Sequence, residues 1–521
     1  MTMPTRHFGQ FLCALVLLNT LNTLPPRGGA RAADQPQWGE RHSRNMVSAE
    51  TGLPDRFDPR TGENVRWSVA LGSQCWATPV VAGGRVLIGT NNSQPRDPKH
   101  EGDRGVLMCF QETDGSFAWQ LVVPKLSEDI YFDWPQAGMC SPPTVEGDRV
   151  YMVTNRDEVV CLDLHGMANG NDGPYRDEGR HMTPQDQSPL EAGPTDADIV
   201  WLLDLRTAAG VRPHDSAHCS ILLDGPYLYV NTSNGLTSRH DGVDKPDAPA
   251  LVAVDKANGA LVAQEREGIS QRIFHCQWSS PALGTVNGQR LVFLGGGDGW
   301  CYAFAALPEP GTRPENGEIA ALRCVWKFDC DPTAPKENIH KYIRNRRESP
   351  SNIKSMPVFH GGRLYVTVGG DIWWGKLQAW LQCIDATKTG DITSGGLLWS
   401  YPVERHCCST PAIHDGLAYV ADCAGKVHCV DAQTGRPHWV HDAGSEIWAS
   451  TLVADGKVYI GTRRGDFWVL AVGQELRVLS SIRLDDAVIS TAVAANGALY
   501  VGTMPRLFAL QQGAKGGKIE R

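Results

Sequence analysis

The chain has 521 residues, among them 55 glycines, 16 tryptophans and 15 cysteines, and a formal net charge of -9. An acidic balance of that size keeps a large domain soluble and excludes nucleic acid as an expected partner, because binding the phosphate backbone needs a clustered positive surface.

At the N-terminus, Arg6 precedes the apolar run Phe11-Leu12-Cys13-Ala14-Leu15-Val16-Leu17-Leu18, and Ala30-Arg31-Ala32 offers small residues at the two positions a signal peptidase reads. The run is well short of the ~20 residues a membrane span needs. Residues 1–32 therefore read as a cleaved signal peptide, and the expectation is an exported protein, periplasmic or extracellular, with no membrane span. Gln10-Phe11-Leu12 before Cys13 lacks the small residues of a lipoprotein signal. Cleavage removes three arginines and no acid, taking the charge from -9 to -12, and leaves 14 cysteines. An even number of thiols in an exported chain makes disulfides the first expectation.

After a lead-in over residues 33–63, short β-rich stretches recur to the end of the chain. Ala77-Thr78-Pro79-Val80, Ser141-Pro142-Pro143-Thr144, Ser220-Ile221-Leu222, Ser279-Ser280-Pro281-Ala282 and Ser355-Met356-Pro357-Val358 each open one unit. Three tighter copies follow at Ser409-Thr410-Pro411, Ser450-Thr451-Leu452 and Ser490-Thr491-Ala492, where Pro411, Leu452 and Ala492 are 41 and 40 residues apart. Each opening leads through a turn into a second strand such as Leu417-Ala418-Tyr419-Val420. Four short strands repeated at about 40 to 45 residues are the signature of propeller blades. The expected fold is all-β, an eight-bladed β-propeller over residues 64–510, with residues 511–521 as a disordered tail. The fourth strand of a blade usually carries a tryptophan: Trp119, Trp201, Trp326, Trp399 or Trp439. The eighth unit lacks that strand, and Asn64-Val65-Arg66-Trp67 has its pattern. This N-terminal segment is expected to join the last blade and close the ring, removing the exposed edges of an open sheet.

The segment Cys429-Val430-Asp431-Ala432-Gln433-Thr434-Gly435-Arg436-Pro437-His438-Trp439 resembles the tryptophan-docking repeat of PQQ-type propellers, A-x-D-x-x-T-G-x-x-x-W. The resemblance implies that Asp431, Thr434 and Gly435 build the turn between third and fourth strands and that Trp439 docks between blades, as do Trp119, Trp201, Trp326 and Trp399. Cys429 stands where the repeat has a small residue. Two relatives set the functional expectations: quinoprotein alcohol dehydrogenases, and the outer-membrane assembly propeller, which binds partner proteins and no cofactor. A quinoprotein dehydrogenase implies PQQ with calcium in the funnel, and no oxygen-rich set of that kind is assignable in this sequence. Cys407-Cys408 is adjacent like the dehydrogenases' vicinal pair, but lies in the sixth unit rather than early in the propeller. The haem motif C-x-x-C-H is absent throughout, so an attached haem domain is not expected.

Cysteines fall two to five residues before the residue aligned with Pro411 in five of the units: Cys75, Cys140, Cys219, Cys276 and the pair Cys407-Cys408. Histidines accompany three of them at His218, His275 and His406. These positions lie around one end of a propeller's channel. Three readings stay open for Cys140, His218, Cys219, His275, Cys276, His406, Cys407 and Cys408: disulfides between blades, inert packing, or thiolate and imidazole ligands of zinc or copper. Lys341, Arg344, Arg346, Arg347 and Lys354 form a basic run suited to an anionic ligand or to a solvated loop. Trp373, Trp374 and Trp380 nearby suit an aromatic wall or core packing. The sequence thus reads as a non-catalytic binding or scaffold protein, with a protein partner or small ligand at the funnel or at the insertions near 164–198, 235–249 and 330–354. A PQQ-dependent dehydrogenase with diverged ligands is the alternative, and a metal-binding propeller the second alternative.

Overall fold

The computed structural model describes residues 1–2, 33–308 and 318–519; the signal peptide expected over 1–32 lies almost wholly outside them. Among the described residues no helix is long and apolar enough to cross a membrane. Eight separate antiparallel sheets of four or five strands follow one another along the chain. Their innermost strands are Val80–Ala82, Thr144–Glu146, Leu222–Asp224, Ala282–Val286, Val358–His360, Ala412–His414, Leu452–Ala454 and Val493–Ala495. Each begins within two residues of an opening expected from sequence, and we number the blades 1 to 8 in that order.

Closure is as expected. The strand Glu63–Ala70 pairs antiparallel with Arg506–Lys515, opposing Val65 to Leu510 and Trp67 to Ala509, so blade 8 is built from both ends of the chain. The disordered tail expected over 511–521 is corrected by the same pairing. Arg506–Lys515 is one continuous strand, and Lys518–Ile519 adds in parallel to Trp67-Ser68. The N-terminal strand supplies those tail residues with hydrogen-bond partners that the composition of the tail alone does not reveal.

The tryptophans lock the ring. The indole N–H of Trp119 donates to Leu164 O, Trp201 to Lys256 O, Trp326 to Ala386 O, Trp399 to Ala432 O and Trp439 to Gly473 O, each in the next blade. Trp67 of blade 8 donates to Glu112 O of blade 1 at 2.9 Å and completes the circle. Turn geometry follows from the same motif. The Asp431 carboxylate accepts from the backbone of Gln433 and Thr434 and from the Thr434 hydroxyl. Gly435 has φ +71°, and a Cβ there would lie 2.6 Å from the Trp399 ring; both backbone and indole require glycine.

The disulfides expected from cysteine number are not formed: all fourteen described cysteines are free thiols. The physical reason is positional. Cys109, Cys161, Cys383 and Cys429 lie on third strands directly opposite Trp119, Trp201, Trp399 and Trp439. Ala303 and Ala509 hold the same place opposite Trp326 and Trp67. The slot beside a docked indole takes a small apolar side chain, alanine or cysteine, and it recurs once in each of six blades, too far from its copies to cross-link.

The lead-in is a structural element rather than a linker. It hydrogen-bonds to inner strands around the ring: Gln35 O accepts from Val81 N, Pro36 O from Val145 N, His42 O from Leu283 N, Ser43 O from Phe359 N and Met46 O from Val453 N. Arg44 is fully buried and donates to Trp38 O, Ser220 O and Pro281 O. The path carries Trp38 to the floor of the pocket described next.

Candidate functional site

The segments entering the inner strands, with the loops that follow the second strands, converge on one funnel-shaped cavity of about 540 Å³. Every blade contributes to its lining. Trp38 from the lead-in stacks on His218 at the floor, ring centroids 6.0 Å apart. Trp76, Trp278, Trp373, Trp374 and Trp448 form the walls, with Tyr131 and Trp134 at one side. Trp373 packs edge-on against both Trp278 and Trp448. The tryptophan pair of blade 5 is placed by Asp371, whose Oδ1 accepts from the backbone N–H groups of Trp373 and Trp374 at 2.9 and 3.0 Å.

One cation reaches the centre of this aromatic wall. Lys354 leaves the basic run expected from sequence and turns inward, its Nζ 4.1 Å from the Trp278 ring centroid and 5.4 Å from that of Trp373. It is 3.1 Å from Asp371 Oδ2 and 3.2 Å from Cys276 Sγ. Burial opposes its charge, but Asp371 holds the ammonium's pKa above its ordinary 10.5. Asp371 is held well below the ordinary carboxylate range against its burial, by Lys354 and then His275. Asn352 also donates to it, at 2.9 Å. Arg344 instead lies over the Trp374 face, so the basic run is divided between funnel and rim.

Beside Lys354 three imidazoles meet. His214 comes from the segment entering blade 3, His240 from the insertion between its second and third strands, and His275 from the segment entering blade 4; ligand atoms of all three lie within 4.8 Å of one another. His214 Nδ1 is 2.8 Å from Leu236 O, His240 Nδ1 3.2 Å from Ser238 O and His275 Nδ1 3.0 Å from Asp371 Oδ2. Their Nε2 atoms point inward, those of His214 and His240 3.2 Å apart. Asp215, in the left-handed region at φ +62°, brings Oδ2 to 3.4 Å from His275 Nε2 and Oδ1 to 3.7 Å from His214 Nε2. Burial, then the neighbouring His275, pushes the His214 pKa down to about 3. Burial acts likewise on His275, but Asp371, Cys276 and Asp215 together raise it well above 6.5.

The eight cysteines and histidines singled out in the sequence are divided among several places. His275 and Cys276 lie by Lys354 and Asp371, and His275 alone joins the imidazole group. Cys408 lines the funnel beside the Cys423 thiol and His406. The Cys423 thiol, against the opposing effect of burial, together with His406 and Lys354 brings the Cys408 pKa below its ordinary 9.0. Cys407 is buried and donates to the Ala421 carbonyl. Cys140 accepts from Ser216 at 3.3 Å, and Cys219 is buried near Arg44. His214 and His240 escaped the sequence reading because neither precedes a cysteine. The available signal was the adjacent pair His214-Asp215, six and five residues before the blade 3 opening at Ser220.

The 1-butanol dehydrogenase (cytochrome c) of Thauera butanivorans is 27% identical over 202 residues, 34% of this chain and 24% of that protein. The quinohemoprotein alcohol dehydrogenase of Comamonas testosteroni is 29% identical over 108 residues, 18% of this chain and 15% of that protein. The chain thus spans about a quarter or less of the length of these curated relatives. Among solved structures, BamB from Moraxella catarrhalis superposes with a TM-score of 0.52 at 14% identity, covering 85% of this chain and 98% of that one. A europium-containing methanol dehydrogenase gives 0.55 at 11% identity, covering 91% and 90%. At such identities these structures speak for the fold alone. Residues 55–271 and 378–513, more than half of the sequence, match the family PQQ_2, described as outer membrane protein assembly factor BamB, and the chain belongs to that family.

Proposed function

We propose that this is an exported, non-catalytic binding propeller whose funnel takes one small planar molecule carrying an acidic group. The observation that carries the reading is the cavity itself: about 540 Å³, walled by five tryptophans, with the Lys354 ammonium among their faces. That volume suits a single small ligand. Tryptophan faces favour a flat apolar body, and a desolvated ammonium favours an anionic substituent.

The residues do not fit a quinone held by calcium. Calcium takes six to eight oxygen ligands, whereas the lining residues offer Asp215 as their carboxylate. Asp371 is already shared by Lys354, His275, Asn352 and two backbone amides. The dehydrogenase relatives therefore lend the chain their repeat, and we derive no redox step.

Calorimetric titration with planar aromatic acids, PQQ among them, with and without calcium, tests the reading. Saturable one-to-one binding that is indifferent to calcium and lost in Trp373→Ala and Lys354→Met is expected. Calcium-dependent PQQ binding, with dye reduction on adding an alcohol, would overturn the non-catalytic reading. Absence of saturable heat in folded protein would overturn the small-ligand reading in favour of a protein partner.

A further inference from the structure

We infer that His214, His240 and His275, with the Asp215 carboxylate beside two of them, form a divalent transition-metal site of the zinc or copper class on the funnel wall. The imidazole ligand atoms all lie within 4.8 Å of one another, and the shortest separations are those of such an ion. Four ligands about 2.0–2.1 Å from a tetrahedral zinc lie roughly 3.3 Å from one another. The His214 and His240 Nε2 atoms are 3.2 Å apart, and His275 Nε2 is 3.4 Å from Asp215 Oδ2.

The hydrogen bonds fix which nitrogen is free. A backbone carbonyl beside Nδ1 requires a proton there, so His214 and His240 each turn a bare Nε2 lone pair inward, and the two lone pairs face each other. Two acceptors at that distance repel unless a proton or a metal ion lies between them. His275 repeats the arrangement with a carboxylate, Asp371, behind its Nδ1. Its Nε2 is fully buried, lies outside hydrogen-bond geometry with any group, and faces Asp215 Oδ2 at 3.4 Å. Outward nitrogens held by carbonyls or a carboxylate are the usual support of metal-bound histidines, since they orient the ring and raise its basicity. Three imidazoles and one carboxylate suit zinc or copper and not calcium.

A second three-residue group, Asp97, His100 and Asp196, provides the contrast. There the Lys99 ammonium lies 2.5 Å from Asp196 and 3.4 Å from Asp97, and supplies the positive charge itself. Among the described residues no lysine or arginine forms an ion pair or hydrogen bond with the inward nitrogens of the funnel histidines. Lys354 is directed to the far side of His275, at Asp371 and Cys276. Asp215 lines the funnel, which gives an ion its path in.

The test uses the full chain, stripped with a chelator and shown folded by circular dichroism, with cobalt(II) and then zinc(II) as probes. One equivalent of cobalt with the intense visible absorption of a four-coordinate ion, displaced by one equivalent of zinc, is expected. His240→Gln should weaken cobalt binding at least about 100-fold, as should Asp215→Asn to a lesser degree, of the order of 10-fold. His406→Gln, at another point of the rim, should leave it unchanged. His240 belongs to an insertion rather than to a blade strand, so its variant is expected to melt like the chelated parent. Failure of the folded parent to bind cobalt, or undiminished binding by His240→Gln, overturns the assignment. The signal is read with no organic ligand present and is independent of the funnel-ligand reading.

Discussion

Ring closure through Trp67 is open to a quantitative test. This side chain is 1% exposed, packs against Tyr500 of its own blade with ring centroids 6.0 Å apart, and donates to Glu112 O of blade 1. The Glu112 carboxylate returns across the same junction, accepting from the Tyr500 hydroxyl at 3.1 Å. Burying an indole removes about 150–250 Å² from water, which at about 25 cal/mol per Å² corresponds to roughly 4–6 kcal/mol. Truncation with partial collapse of the cavity costs somewhat less, about 3–5 kcal/mol. Trp67→Ala should therefore lose that much. Trp67→Phe keeps most of the apolar body and loses the donor, leaving the Glu112 carbonyl short of a partner, at a cost of about 1–3 kcal/mol. Trp134→Ala removes a tryptophan that is 42% exposed at the funnel rim and should cost less than about 1 kcal/mol. Urea midpoints followed by circular dichroism should order the variants as Trp134→Ala, Trp67→Phe, Trp67→Ala, from mildest to most severe. A Trp67→Ala midpoint indistinguishable from that of Trp134→Ala would refute the view that both chain ends are locked through this residue.

Two further outcomes follow from buried ionisable groups. Burial, then the charge of Asp204, raises the Asp157 pKa well above its ordinary 3.8, and neither carboxylate oxygen has a partner. The folded state thus holds this proton more tightly than the unfolded one, so its penalty is absent below about pH 3.8 and grows as pH rises toward the folded pKa. Asp157→Asn, at φ +62° where asparagine is tolerated, should raise the melting temperature at pH 7 and leave it unchanged below pH 3.8; a shift independent of pH would contradict the argument. The Cys408 thiol, lowered from its ordinary value by its Cys423, His406 and Lys354 neighbours, should alkylate with iodoacetamide at pH 6.5 well before Cys324, which is also partly exposed but pushed up to about 12. Equal rates in a peptide map would remove the Cys408–Cys423–His406 network from consideration.

What the sequence carries and what it hides divide along a physical line. Blade openings, docking tryptophans and the closing strand are periodic, and each copy repeats one local solution, so a single chain supplies its own comparison. Trp67 was legible because five other units carried the tryptophan strand that the eighth lacked. The cysteines show where the same logic misleads. Compartment and even number favour disulfides, but the repeat already contains the answer, since Cys429 occupies the place where other blades put alanine opposite the indole. The funnel is different because it is the place where the blades stop being alike. His214, His240 and His275 come from three segments with no common offset, and Lys354, in sequence part of a basic run, is drawn inward by Asp371 from the same blade. No periodicity brings these residues together. The ring does so, because eight equivalent frames aim eight unequal loops at one axis, and function is written in what those loops do not share.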